Sequence, residues 1–98
     1  MKLKEINVNF SKEIEIRKSA LIKITREDLD IIEKKIPKSI RNSRYFYEEE
    51  GKIEFYSKKK RDLGCDCITV YRYGNYLRFV RNFSNSNNRE FTYFEIVN

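Results

Sequence analysis

The dipeptide Gly74-Asn75 constrains this fold more than any other feature of the sequence. It separates two runs, residues 65–73 and 76–83, that are rich in the β-branched and aromatic residues typical of strands. A glycine at the first position of a two-residue loop is typical of a type II′ turn, which joins antiparallel strands. The length of such a loop fixes the pairing register, so it also decides which side chains share a face of the hairpin.

The register predicted from this turn gives the hairpin two different faces. One face carries tyrosine and arginine, since Tyr73 lies opposite Tyr76 and Tyr71 lies opposite Arg78. The other face is mainly apolar and contains Ile68, Val70, Leu77, Phe79 and Phe83. We expect the apolar face to pack on the core and the tyrosine–arginine face to be exposed.

One segment, about residues 26–36, has the pattern of a helix. Thr25 can cap its first turn, and Pro37 disfavours helical geometry at the residue before it. The apolar positions recur at helical spacing and form one stripe: Leu29, Ile32 and Ile36. We therefore expect the helix to lie with this stripe against a sheet.

The remaining apolar residues alternate with polar ones, which is typical of half-buried strands. The alternating positions before the helix are Ile6, Val8, Phe10, Ile14, Ile16, Ile22 and Ile24, the last four in one long strand or two short ones. Residues 45–47 and 53–56 flank an acidic turn, and residues 91–97 form a last strand. The sequence thus predicts one α+β domain, residues 1–98, with a mostly antiparallel β-sheet of about five to seven strands and one α-helix packed on one face.

The charge and the cysteines restrict the partners and the compartment. The formal net charge is +6, from 21 Lys and Arg against 15 Asp and Glu, which favours nucleic acid or an acidic protein as partner. An AT-rich genome gives the same lysine excess without any such partner. No apolar run is long enough for a signal peptide or a transmembrane span, so we expect no membrane partner. A disulfide between Cys65 and Cys67 would be strained, which indicates a reducing compartment, the cytoplasm.

The tyrosine–arginine face of the hairpin is the candidate binding surface. Aromatic rings stack on nucleobases and arginine adds cation–π contacts, so the predicted site residues are Tyr71, Tyr73, Tyr76 and Arg78. A basic loop is expected to contact phosphate groups through Lys58, Lys59, Lys60 and Arg61. Two structural explanations stand beside this one, because tyrosine pairs stabilise exposed sheets without a ligand and lysine-rich loops are often only solvated.

The residues on which most enzymes rely are missing from this chain. It has no histidine, its three glycines are too scattered for a phosphate-binding loop, and its lone Cys-x-Cys pair supplies two of the four ligands of a zinc site. We therefore predict no catalytic residues, no metal and no cofactor. A metal-free ribonuclease stays open, because Lys, Arg, Tyr and Glu can share acid–base and charge-stabilising roles in phosphodiester cleavage.

The run of residues 70–79 resembles the glycine-turn hairpin of small basic messenger-cleaving toxins. The likeness covers about a tenth of the chain. Members of that family usually begin with a strand and a pair of helices, whereas this sequence shows one helix by its pattern. The resemblance implies a ribonuclease.

These observations favour a small basic protein that binds RNA or DNA and is not an enzyme. The first alternative is a protein-binding inhibitor or adaptor of the mobile-element or phage type, acting on a nucleic-acid-processing protein, because Tyr and Arg are also enriched at protein interfaces. The second alternative is a metal-free ribonuclease toxin. An exposed edge strand could also pair two copies into a homodimer.

Overall fold

The computed structural model describes residues 1–59, 63–84 and 87–98. Within these ranges the helices and strands follow one another as β1 (Lys2–Ile6), α1 (Phe10–Lys18), α2 (Arg26–Glu33), β2 (Ser43–Tyr47), β3 (Lys52–Tyr56), β4 (Cys67–Tyr73), β5 (Tyr76–Asn82) and β6 (Arg89–Val97). All neighbouring strands are antiparallel, and their order in the sheet is β1-β6-β5-β4-β3-β2. The predicted α+β class with an antiparallel sheet is therefore confirmed, with a second helix that the pattern did not predict.

The hairpin formed by β4 and β5 has the register predicted from its two-residue loop. The observed partners include Tyr73 with Tyr76 and Tyr71 with Arg78. Gly74 has a φ of +58°, and no described residue other than glycine has a positive φ. A type II′ turn requires this combination, which explains the glycine at the first loop position.

Helix α2 covers the apolar face of the sheet. Thr25 caps it as predicted. The Thr25 hydroxyl accepts the Asp28 backbone N–H at 3.2 Å, and the Asp28 carboxylate accepts the Thr25 backbone N–H at 2.9 Å. The helix ends at Glu33, before the predicted end, because the Ile36 N–H bonds to the Glu33 carbonyl and tightens the last turn. The predicted stripe shares one core with the sheet: Ile24, Leu29, Ile32, Ile36, Ile40, Ile53, Phe55, Ile68, Val70, Leu77, Phe79 and Phe94.

The strand predicted around Ile14 and Ile16 is wrong, because Phe10–Lys18 form helix α1. The side chain of Asn9 caps this helix by accepting the Lys12 N–H at 2.8 Å. Glu, Lys and Arg fill most of the segment and favour helices over strands. An acidic first turn and a basic last turn also complement the helix dipole. The alternation of isoleucine with glutamate therefore indicated the wrong period.

Two further strand predictions near the start of the chain are also wrong. Strand β1 ends at Ile6, so the alternation through Val8 and Phe10 does not continue it. Ile22 and Ile24 lie outside the strands, in a linker, where each donates its backbone N–H to another part of the fold. The resulting order at the start of the described chain is one strand followed by two helices.

A buried ion pair joins α2 to the sheet. Arg72, on the apolar face of β4, contacts the buried Asp28 carboxylate of α2. The Arg72 Nε–H also donates to the Gly74 carbonyl at 3.0 Å. Because Asp28 completes the capping box of α2, this pair couples the start of the helix to the turn of the hairpin.

The Arg72→Met variant should lose about 3–5 kcal/mol of unfolding free energy, because the buried Asp28 carboxylate loses its charged partner. Arg44→Met is the matched control, since Arg44 forms an exposed ion pair with Glu33 at 3.5 Å. The control should cost less than about 1 kcal/mol. Urea unfolding followed by circular dichroism measures both losses. Equal losses would contradict the role given to the buried pair.

Candidate functional site

All seven tyrosines of the chain lie on one face of the sheet, which we call the tyrosine face. Their positions follow from the strand registers: Tyr45, Tyr47, Tyr56, Tyr71, Tyr73, Tyr76 and Tyr93. The opposite face, beneath α2, carries Phe46, Phe55, Phe79 and Phe94. The division follows from chemistry, because a phenol needs water or a partner for its hydroxyl whereas a phenyl ring does not.

One row of cross-strand neighbours on the tyrosine face alternates aromatic and cationic side chains. This central row crosses five strands from β2 to β6, in the order Tyr47, Lys52, Tyr71, Arg78 and Tyr93. A strand spacing of about 4.8 Å makes it about 19 Å long. The Lys52 Nζ lies 4.7 Å from the centroid of the Tyr47 ring, which is a cation–π distance.

Arg78 forms no ion pair with a described carboxylate. Its guanidinium lies near two rings, with the Cζ 5.7 Å from the Tyr71 centroid and 4.9 Å from the Phe91 centroid. The Nε is buried without a hydrogen-bond partner. Within the described ranges, the ion pairs of the protein involve other cations. A charge held in this way remains available to an anionic ligand.

Helix α1 covers the end of the tyrosine face nearest the β4–β5 turn. Ile16 is buried on this side of the helix and packs in one cluster with Tyr73 and Tyr93. The Lys12 Nζ lies 5.1 Å from the centroid of the Tyr76 ring. The neighbouring Tyr76 hydroxyl raises the pKa of the Lys12 ammonium above its ordinary value. The helix therefore contacts the sheet partly through charge.

The exposure expected for the predicted site residues is wrong for Tyr73, which is only 9% exposed. Tyr71, Tyr76 and Arg78 are half-buried. The register does bring the four together, and the ring centroids of Tyr71 and Tyr73 are 6.4 Å apart. The difference in exposure has one physical cause, because helix α1 lies on a face that the sequence pattern left uncovered.

The predicted phosphate-binding loop is described in part. Lys58 and Lys59 are exposed, and Lys60 and Arg61 lie outside the described residues. The hydroxyl of Ser43, on the tyrosine face, donates to the Lys58 carbonyl at 2.6 Å. The loop therefore leaves β3 beside this face, at the end opposite to the one that α1 covers.

The structure adds side chains that sequence reasoning missed. Tyr47, Lys52 and Tyr93 complete the central row, and Phe91, 46% exposed, lies beside it. Tyr45 and Tyr47 are two residues apart, as are Phe91 and Tyr93, and this spacing within a strand indicates that each pair shares a face. It could not show that these pairs lie in rows with Arg78, because rows depend on registers between strands joined by longer loops.

The described residues contain no cluster of three His, Cys, Asp or Glu side chains that could hold a metal ion. Cys65 and Cys67 are free thiols. Neither of the two described helices has the length and apolar character needed to cross a membrane.

Comparison with protein-family models, curated proteins and solved structures gave no match to this chain. The function therefore has to be argued from the chemistry of the tyrosine face and of the surfaces beside it.

Truncating Ile16 to Ala should lower the unfolding free energy by about 2–4 kcal/mol, because it leaves a cavity between α1 and the sheet. It should also make Tyr73 and Tyr76 more accessible to a soluble quencher of tyrosine fluorescence. Ile14→Ala on the same helix is the control, since the Ile14 side chain is 39% exposed and should cost less than about 1 kcal/mol. If the two truncations had equal effects, Ile16 would not be the contact that fixes α1.

Proposed function

We propose that the protein binds single-stranded nucleic acid on the tyrosine face, along the central row. The observation that carries this proposal is the Arg78 guanidinium, which lies near two aromatic rings and pairs with no described carboxylate. A phosphate group supplies the missing negative charge, and the neighbouring rings offer stacking surfaces for bases.

The central row fits a single strand better than a duplex. Aromatic side chains on a sheet bind unstacked bases, whose faces are hidden inside a double helix. Lys52 and Arg78 are two strands apart, or about 10 Å, so each can contact a different phosphate of one strand. The part of the row from Tyr47 to Arg78 therefore offers alternating sites for phosphates and for bases, whereas Tyr93 is buried.

The tyrosine face has a positive charge excess of its own. The strand registers place five cations and two anions on it: Lys2, Lys4, Lys52, Arg78 and Arg89 against Glu54 and Glu95. The difference, five minus two, is half of the formal net charge of +6. Contacts of these cations with phosphates release counterions, so the affinity should fall as salt rises.

The Arg78→Met variant should weaken binding of a labelled single strand by about 1–3 kcal/mol, because one phosphate contact is lost. The slope of log affinity against log salt should fall by about 0.7. Arg44→Met is the matched control, since Arg44 lies on the opposite face and its loss removes the same charge. Fluorescence anisotropy with DNA and RNA, single-stranded and duplex, measures these values. Equal effects of both substitutions would indicate a diffuse basic surface instead of a site.

A second candidate function, a protein-binding adaptor or inhibitor, is supported by the outer side of α1. Phe10 and Ile14 lie about one helical turn apart and are 78% and 39% exposed. They line a groove of about 310 Å³ together with Glu13, Arg17 and Lys18. Exposed apolar side chains beside basic ones fit a protein surface that is apolar with an acidic border. A second copy of the chain is a separate partner to test.

The Phe10→Ser variant should capture a partner from an extract of the native host about tenfold less well, the loss expected when an aromatic anchor is removed. Leu63→Ser is the control, because Leu63 is 93% exposed and lies outside the groove. Sedimentation velocity of the unmodified chain tests self-association. Equal recovery of all partners by both variants would remove α1 as the docking surface.

Two other expectations stay predictions. A cytoplasmic location is supported by the two free thiols, which a reducing compartment maintains. Metal-free RNA cleavage is tested by incubating the protein with labelled RNA in the presence of a chelator.

A further inference from the structure

A polar cleft lies between α1 and β6, at the end of the central row. The pairing of β1 with β6 ends at Ile6 and Tyr93, and from Asn7 the chain continues to α1 while β6 reaches back to Arg89. The cleft has a volume of about 290 Å³, and its lining includes Asn7, Glu13, Phe91 and Tyr93. Small-ligand pockets begin at about 300 Å³, so the cleft suits one nucleobase better than a larger ligand.

The Tyr93 hydroxyl lies beside the Arg78 guanidinium and the Glu13 carboxylate but forms a hydrogen bond of ordinary geometry with neither. Tyr93 is only 5% exposed, and burial is the main cause that raises the pKa of its phenol. Arg78 lowers this pKa and Glu13 raises it, with a net rise. The hydroxyl is therefore protonated at neutral pH and can donate. A buried donor without a partner is rare in folded proteins, which points to an acceptor on a ligand.

The other walls of the cleft supply an acceptor and a stacking surface. The Glu13 carboxylate has one described ion partner, Arg17, at 3.9 Å on the exposed side of α1, and such pairs are weak. The half-exposed Phe91 ring can stack against a base. Glu5 and Glu13 make the cleft acidic, so it repels phosphate and favours a ligand with hydrogen-bond donors.

The backbone of β6 adds polar groups to the same edge. The Ile96 N–H donates to the Asn75 carbonyl at 2.7 Å, so even-numbered residues of β6 form bonds toward β5. Odd-numbered residues then direct their N–H and C=O to the other side. The pairing with β1 ends at Tyr93, so the N–H and C=O of Phe91 point past the end of β1, next to the cleft.

We infer that this cleft binds a guanine base of the single strand that the central row holds, an inference that rests on the proposed function. Guanine presents two adjacent donors, N1–H and the 2-amino group, which match the two oxygens of the Glu13 carboxylate. Its O6 acceptor lies next to these donors, where the Tyr93 hydroxyl can donate to it. Adenine, cytosine and thymine each offer a single donor group on their Watson–Crick edge, the edge on which guanine carries N1–H and the 2-amino group.

Fluorescence anisotropy with short oligothymidylates tests the guanine site. An oligomer with one central guanine should bind about tenfold tighter than the all-thymine oligomer. Inosine, which lacks the 2-amino group, should give an intermediate affinity in the same position. Glu13→Gln should abolish the preference for guanine, because an amide has one acceptor oxygen. Glu15→Gln removes the same charge from an exposed position on α1 and should retain the preference.

Three outcomes would overturn the guanine site. Equal affinities for guanine and thymine oligomers would do so while the proposed function stands, provided that Arg78→Met weakens the binding of both. A preference lost equally in Glu15→Gln would show that the charge of α1, and not the Glu13 carboxylate, is responsible. Failure of every oligomer to bind would overturn the guanine site and the proposed function together.

Discussion

The pairing register that starts at the β4–β5 turn is the constraint on which the candidate surface depends. Side chains alternate between the faces of a strand, so a slip of one residue would exchange the two faces of the hairpin. The core opposes this slip, because Val70, Leu77 and Phe79 are buried beneath α2 and would move to the partly exposed tyrosine face. Each such exposure costs about 1.5–3 kcal/mol. The energy that buries these three residues therefore also keeps Tyr71 and Arg78 on the opposite face.

The two helices cover the sheet unequally, and this difference leaves part of one face accessible. Helix α2 has an apolar stripe, a capping box and a buried ion pair, so it seals the face that carries the phenylalanines. Helix α1 buries Ile16 against the tyrosines and places Lys12 over a ring. It therefore covers the end near the turn and also the β6 end of the central row, where Tyr93 is buried. The other members of the central row and Phe91 stay at least partly exposed: Tyr47, Lys52, Tyr71 and Arg78.

The sequence predicted the elements whose signals are local. The glycine loop gave the register of the hairpin, and Thr25 with the apolar stripe gave α2. Helix α1 was missed because its isoleucines alternate with glutamates, a period of two that conflicted with the helix propensity of the charged residues. The central row was only half predictable. Its pair Tyr71 and Arg78 follows from a two-residue loop, whereas Tyr93 depends on a loop whose length does not fix a register.

Two arginines of the same hairpin lie on opposite faces of the sheet, and their positions separate a structural role from the proposed binding role. Arg72 lies on the α2 face and contacts a buried carboxylate, so removing its partner would leave a charge in the core. Arg78 lies on the tyrosine face, and the partners that the structure gives its charge are the rings of Tyr71 and Phe91. Rings stabilise a cation without neutralising it. The fold thus uses the first charge to hold α2, and the proposed function assigns the second to an anion from outside the chain.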